Sequence, residues 1–325
     1  MDDRLAAAVH RLFAPADSPA RQRRGRIGAE LEMFVSRPLA LADPAFRDLA
    51  RPTLEPGGQL ELSPGPQASM GALVEVVERC LARVHDEADG AGASIDLCGT
   101  RPTRVRVPLR LRTPRYLAMQ DLFDRVGPDG RRMMRSTASL QVCVDLLPGV
   151  GGTEQWLVAN LAGPPLAAAF ANSPHLDGRL TTRPGNRTAI WCGVDLSRTG
   201  YDGRHLDADD PVRAYLAFAA RAARLPIPEA ADAAYHLTTL FPPVRPRGGY
   251  LEVRYLDAQP RHRIGEVIGI VATLLQDSTA RREALELLRP RLGDEPRLWA
   301  EAAEGRSADA ADLLAIVARR QAVAA

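Results

Sequence analysis

Four segments of this chain alternate with a period of two, and in each one face is built from acids, amides and hydroxyls. In residues 26–35, Glu30, Glu32 and Phe34 fall on one side, against Ala29, Leu31, Met33 and Val35. A turn at Pro56-Gly57-Gly58 follows Glu55 and precedes Gln59, Glu61 and Ser63, which alternate with Leu60 and Leu62. Residues 136–146 set Thr137, Ser139, Gln141, Cys143 and Asp145 against Leu140, Val142, Val144 and Leu146. In 249–257, Glu252 and Arg254 oppose Leu251, Val253 and Tyr255. Strands send successive side chains to opposite faces, so each segment reads as a strand with one apolar and one polar side. Further strands are expected at 94–98 and 236–241. Helices are expected at 3–14, 67–90, about 115–126 and about 210–224, and from 153 toward Ala171 with a break at Gly163-Pro164-Pro165. A polar, arginine-rich connector reaches Arg24, and everything from about 261 onward reads as helix.

Strands and helices follow one another without regular strand–helix–strand alternation, and no Gly-x-Gly-x-x-Gly follows a strand. That excludes a Rossmann fold and predicts an α+β architecture, an antiparallel sheet with helices packed on one face. No connector marks a boundary, so 1–325 reads as a single catalytic domain with 261–325 its helical C-terminal portion.

The polar faces carry the chemistry. A solvated sheet face mixes both signs of charge, whereas these faces cluster carboxylates, which repel one another unless they are protonated or share a cation. Carboxylates converging in one hollow suit Mg2+ or Mn2+, hard ions that prefer oxygen ligands and would hold the phosphates of ATP against the sheet. The sequence has no lysine, so its 42 basic residues are all arginine. This rules out P-loop and Schiff-base chemistry and leaves arginine as the side-chain clamp for phosphate. Arg254, two positions from Glu252, and Arg245 are the candidates for contacting a transferred phosphoryl group.

Forty acidic residues against 42 basic ones leave a net charge of +2, too balanced for a sequence-independent nucleic-acid binder. No apolar run of about 18 residues predicts a membrane span. Four separated cysteines and an acidic N-terminus without an apolar leader predict a reduced, cytoplasmic protein.

Taken in order, these motifs resemble the plant-type glutamate–cysteine ligase family. The resemblance is carried by Gly28-Ala29-Glu30-Leu31-Glu32, by Glu55 through Ser63, and by Met133-Met134 through Val142. It continues through Ala171-Asn172-Ser173-Pro174, Arg187 to Gly200, His236 to Pro242, and Tyr250-Leu251-Glu252-Val253-Arg254. Pro114-Arg115-Tyr116 with Ala118-Met119 is similar to the actinobacterial branch that serves ergothioneine biosynthesis. The resemblance implies a glutamine-synthetase-like curved antiparallel sheet whose polar face holds ATP, divalent metal and L-glutamate. It implies ATP-dependent joining of the glutamate γ-carboxylate to the amine of L-cysteine through a γ-glutamyl phosphate, giving γ-glutamylcysteine.

By the same resemblance Glu30, Glu32, Glu55, Glu61 and Glu252 are metal-ligand candidates. Arg187, Arg198, Thr137, Asn172 and Gln141 are substrate-binding candidates beside Arg254 and Arg245. The chain departs from the family at Cys143, where asparagine is commoner, and in short segments before Glu55 and at 226–235. A related ligase using a different amine, and a non-catalytic nucleotide- or glutamate-binding relative, stay open as alternatives.

Overall fold

The computed structural model describes residues 2–15, 25–41 and 44–324; the arginine-rich connector before Gly25 lies largely outside them. Nine strands are described: β1 (Ile27–Val35), β2 (Ala50–Leu54), β3 (Leu60–Pro64), β4 (Ile95–Asp96), β5 (Leu140–Asp145), β6 (His175–Leu176), β7 (Arg179–Leu180), β8 (Val244–Pro246) and β9 (Tyr250–Val253). The helices of the first half are α1 (Asp3–Leu12), α2 (Pro44–Leu49), α3 (Met70–Ala91), α4 (Pro114–Asp124), α5 (Asp129–Ser136), α6 (Val150–Leu161) and α7 (Gly163–Ala169). Those of the second half are α8 (Asn186–Cys192), α9 (Leu196–Thr199), α10 (Pro211–Arg221), α11 (Ala233–Leu237), α12 (Arg261–Gln276), α13 (Ser278–Leu288), α14 (Glu295–Ala303) and α15 (Ala310–Ala324).

Seven strands form one antiparallel sheet in the order β2-β3-β1-β5-β9-β8, with β4 paired to the end of β1. Its apolar face is the one the alternation predicts: Leu31, Met33, Leu62, Leu140, Val142, Val144, Leu251 and Val253 are all buried. Helices α3 and α12 cover that face. Ser69 starts α3 by accepting from the Ala72 amide, and Gly92, at φ 59°, ends it in the left-handed conformation that glycine adopts without strain. Between them Leu73, Val77, Cys80, Leu81 and Val84 recur on the buried side. The break at Gly163-Pro164-Pro165 falls where α6 gives way to α7.

Several segments differ from expectation, among them α2, α8 and α9, which form where no helix was expected; two others show the physical reason. Residues 236–241 are not a strand: Asp232 caps α11 by accepting from the Tyr235 amide, and the Thr238 and Thr239 hydroxyls fold back onto the carbonyls of Tyr235 and His236. Pro242 and Pro243 then supply no N–H, so pairing begins only at Val244, in β8. Helix α5 fills a stretch assigned no element, because its arginine-rich sequence offers only Met133 and Met134 as apolar markers. Among the described residues, no helix is long and apolar enough to cross a membrane.

Candidate active site

The strand registers bring the polar residues into rows. Glu32 lies opposite Glu61, which lies opposite Thr53 on β2. Glu30 faces Gln141. Glu252 is flanked by Cys143 on one side and Arg245 on the other. These rows floor a hollow of about 290 Å³, walled by Arg115, Tyr116 and Met119 of α4, Met133 and Met134 of α5, and Arg187 and Trp191 of α8. The sheet therefore carries its structural helices on the apolar face, while three further helices lend side chains to the polar one.

One end of the hollow is acidic. Carboxylate oxygens of Glu32, Glu55 and Glu61 lie within 4.8 Å of one another. The hairpin between β2 and β3 delivers two of them: the Gly58 amide donates to the Glu55 carbonyl at 2.7 Å, and Gly58 sits at φ +84°. Thr53 Oγ1 donates to Glu61 at 2.7 Å, and Glu32 accepts from the Ser139 amide at 2.9 Å. Burial, with the charges of Glu32 and Glu61, pushes Glu55 up to about 8. Burial and the neighbouring Glu252 and Glu61 push Glu30 up to about 7, and burial and Glu61 raise Glu32. Glu32 and Glu55, which resist ionisation, form with Glu61 a set of three hard oxygen donors fitted to a divalent cation, which would replace the protons.

The other end is cationic. Arg254 hydrogen-bonds the Glu252 carboxylate, Arg247 Nε lies 3.2 Å from it, and Arg245 lies 3.5 Å from it. Burial opposes ionisation of Glu252, but the three guanidiniums outweigh it and bring the carboxyl down to about 2. Burial and Arg254 in turn lower Arg245 to about 10. Three guanidiniums around one carboxylate leave an excess of positive charge, and the Nε atoms of Arg245 and Arg254 are buried without a partner. Gln141 joins the two ends: its amide donates to Glu32 at 2.9 Å and accepts from Arg254 at 2.7 Å.

Of the residues singled out from sequence, Glu30, Glu32, Glu55, Glu61, Glu252, Arg245, Arg254, Arg187, Thr137 and Gln141 all line this hollow. Glu252 stands among arginines rather than in the carboxylate cluster. The Arg187 guanidinium is turned onto the carbonyls of Tyr255 and Arg254, at 3.0 and 2.8 Å. Thr137 donates its hydroxyl to the Met133 carbonyl and accepts from Gln59 on its own. Arg198 and Asn172 do not reach the hollow. Arg198 is fully buried, bonded to Thr239 and to the Ala223 carbonyl. Asn172 ties the Leu97 and Ala258 carbonyls together. Both are polar struts, which no sequence spacing separates from ligands.

Sequence reasoning passed over Arg247, Arg115 and Tyr116. Arg247 was within reach, since it stands two residues beyond Arg245 and alternation predicts the same face. Burial and the facing Glu55 raise the Tyr116 phenol, which places it against the acidic end.

Clustered carboxylates and clustered guanidiniums on one antiparallel floor make a site with the chemistry to bind a divalent cation at one end and a phosphorylated group at the other. Residues 25–325 match the sequence model of glutamate-cysteine ligase family 2 (GCS2), and the chain belongs to that family. It is 34% identical over 312 residues to the glutamate–cysteine ligase EgtA of Mycolicibacterium smegmatis, covering 82% of this chain and 73% of that protein. It is 30% identical over 267 residues to the chloroplastic glutamate–cysteine ligase of Arabidopsis thaliana, covering 72% of this chain and 51% of that one. A bifunctional glutathione synthetase from Pasteurella multocida superimposes with a TM-score of 0.47 at 13% identity, over 98% of this chain and 49% of the other.

Proposed function

We propose that the hollow joins the γ-carboxylate of L-glutamate to the amine of L-cysteine at the expense of ATP. The observation that carries the site assignment is the division of one sheet face into a carboxylate end and a guanidinium end with Gln141 between them. Glutamate's carboxylate attacks the γ-phosphorus of ATP, releasing ADP and forming an acyl phosphate. The amine then attacks the acyl carbon and expels phosphate, losing its proton. The barrier to the first step is largely the meeting of two anions, so catalysis is neutralisation and alignment.

In this reading Glu32, Glu55 and Glu61 hold a divalent cation, Mg2+ or Mn2+, with Glu30 beside them. Such a cation neutralises charge between the nucleotide phosphates and the acidic floor. Arg245, Arg247 and Arg254 receive the transferred phosphoryl group, and Glu252 keeps the three guanidiniums in one place. Arg187 fixes the backbone at Arg254 through the carbonyl it grips, and Thr137 holds the end of α5 against Gln59.

The test is ADP release by the full chain with glutamate and ATP, across a panel of amines that includes cysteine. Cysteine-dependent release of ADP, with γ-glutamylcysteine as product, is expected. Glu61→Ala should lower turnover about a thousandfold or more, since it removes one carboxylate of the cluster while leaving the fold intact. ADP release only with another amine, or near-normal activity in the folded Glu61→Ala protein, would overturn the substrate or the ligand assignment respectively.

A further inference from the structure

Helix α5 walls the hollow with one face and a second, smaller cavity with the other. Met133 and Met134 face the hollow, while Arg131, Arg132, Arg135 and Ser136, which helical spacing puts on one side, line a cavity of about 170 Å³ behind it. The two spaces share no lining residue. The far side of the cavity is made by the segment 100–107 and by the β6–β7 hairpin, which carries His175 and Asp177. These parts are fastened together. The Arg101 amide donates to the Ser136 carbonyl at 3.0 Å, and Arg135 Nη1 donates to the Val107 carbonyl at 3.2 Å. Gly178, at φ +74°, packs so tightly that a Cβ there would stand 2.3 Å from the Arg104 nitrogen.

Charge around this cavity does not balance. Four guanidiniums line it against one carboxylate, Asp177. Two of the four are neutralised. Arg131 grips Asp124 at 2.6 and 2.5 Å, and Arg132 grips Asp177 at 3.0 and 2.6 Å and Asp129 at 2.9 Å. Among the described residues neither Arg101 nor Arg135 has a carboxylate partner. Arg101 lies over the Phe34 ring, 4.5 Å from its centroid, and the Arg135 side chain bonds only the Val107 carbonyl. Burial and the nearby Arg110 lower Arg101, and burial and Arg131 lower Arg135, so both are cations short of an anion.

Hydrogen bonding leaves the same gap. Nε of Arg101 and of Arg135, Nδ1 of His175 and the Thr100 hydroxyl are buried without a partner, and all four residues line this cavity. Thr100 is only 3% exposed. Buried polar groups are nearly always paired, so four unpaired ones around one cation-rich cavity call for a common partner. Pockets for drug-sized molecules begin at roughly 300 Å³, so this cavity takes a small ion. Planar guanidinium forks and hydroxyls match an ion with several acceptor oxygens. We propose that the cavity behind α5 binds a phosphate-sized oxyanion, held by Arg101 and Arg135 with Thr100, Ser136 and His175 around it. Bound there, the ion ties α5 to the segment 100–107 and to the β6–β7 hairpin. The site lies outside the hollow and does not depend on the ligase reading.

Calorimetric titration of the full chain with inorganic phosphate, run beside thermal melts, tests it, with sulfate, chloride and O-phospho-L-serine for comparison. The guanidinium end of the hollow also attracts phosphate, so the titrations are repeated in Arg247→Ala, which weakens that end. Arg101→Gln/Arg135→Gln removes both free cations of the cavity, and Arg135→Gln alone serves should the double variant misfold. Circular dichroism confirms the fold of each.

Phosphate should still bind Arg247→Ala and raise its Tm, with sulfate within about tenfold and chloride at least about tenfold weaker. The double variant should lose about tenfold or more in phosphate affinity at this site, together with the Tm gain from phosphate, and Arg135→Gln alone about threefold or more. Arginines with a purely structural role would lower Tm equally with and without phosphate and leave that gain in place, which would overturn the proposal. Phosphate binding that falls in Arg247→Ala and not in the folded double variant would overturn it too, by placing the ion in the hollow. Chloride bound as tightly as phosphate would reduce the site to unselective positive charge. O-phospho-L-serine bound about tenfold more tightly than phosphate would overturn the free ion as occupant. The ligase reading fails separately: no amine-dependent ADP release leaves this site standing, and no phosphate here leaves the ligase reading standing.

Discussion

Gln141 has both ends of its amide committed, and to partners that fix its orientation. A guanidinium only donates and a carboxylate only accepts, so Oε1 must face Arg254 and Nε2 must face Glu32. The amide is a neutral spacer that stops the cationic end from collapsing onto the acidic one. Gln141→Leu leaves a buried acceptor and a buried donor each one bond short, a cost of about 1–3 kcal/mol. Turnover should fall by about 10- to 100-fold with ATP affinity little changed, because orientation is lost rather than charge. Steady-state kinetics beside ATP titration separates the two effects; an equal loss in both would make Gln141 a nucleotide contact.

The carboxylates give a pH dependence with a definite sign. Glu30 and Glu55 hold their protons to about 7 and about 8 in the folded protein, above the ordinary 4.5. The native state therefore binds more protons than the unfolded chain across that interval, and these groups make stability fall as pH rises through it. Glu252 works the other way: its contribution is present above 4.5 and is lost as the pH falls toward about 2. Without divalent cation the protein should melt lower at about pH 8 than at about pH 6, and Mg2+ should raise Tm more at the higher value. Melts with Mg2+ and with EDTA check this; a Tm gain from Mg2+ that does not depend on pH would detach the cation from these carboxylates.

The β2–β3 hairpin is the element whose placement matters most, since it carries Glu55, Gln59 and Glu61. A Cβ at Gly57 would sit 2.4 Å from the Arg135 carbonyl oxygen and 2.5 Å from the Arg135 Cα, both backbone atoms of α5. Gly57→Ala must move the hairpin off α5, costing about 1–3 kcal/mol and displacing the acidic cluster. The expected result is a lowered Tm with a still larger loss of cation affinity; unchanged cation binding would show that the hairpin tip is not what positions Glu55 and Glu61. Hairpin and strands were legible in the sequence because alternation and Pro-Gly-Gly chemistry are local signals. Register was not, so the facing of Glu32 with Glu61 and the crowding of three arginines around Glu252 came only from the fold. The same limit hid the structural roles of Arg198 and Asn172. Their partners, such as Ala223 and Ala258, lie far away in sequence.

At the scale of the molecule, the C-terminal helices, expected from sequence as the helical portion of one catalytic domain, form the back wall of the sheet that carries the site. Helix α12 buries Ile264, Val267, Ile268, Val271, Leu274 and Leu275 and packs on β5, whose other face carries Gln141. Each such side chain contributes roughly 1.5–3 kcal/mol, so together they rival the 5–15 kcal/mol that holds a whole domain folded. Polar contacts seal the join: buried Gln155 bonds the Leu275 carbonyl on α12 and the Leu147 amide at the end of β5. Farther along, Trp299 of α14 stands against Tyr201 and Tyr255, and α14 packs on α8, the helix that carries Arg187. We therefore propose that 1–325 is one folding unit, and that a chain ended at Pro260 will not fold. It should aggregate or show no cooperative transition in far-UV circular dichroism, and it should bind no ATP. A cooperative melt and retained ATP binding in residues 1–260 would instead make the helical portion a separate domain, and the sheet's apolar face would then need another cover.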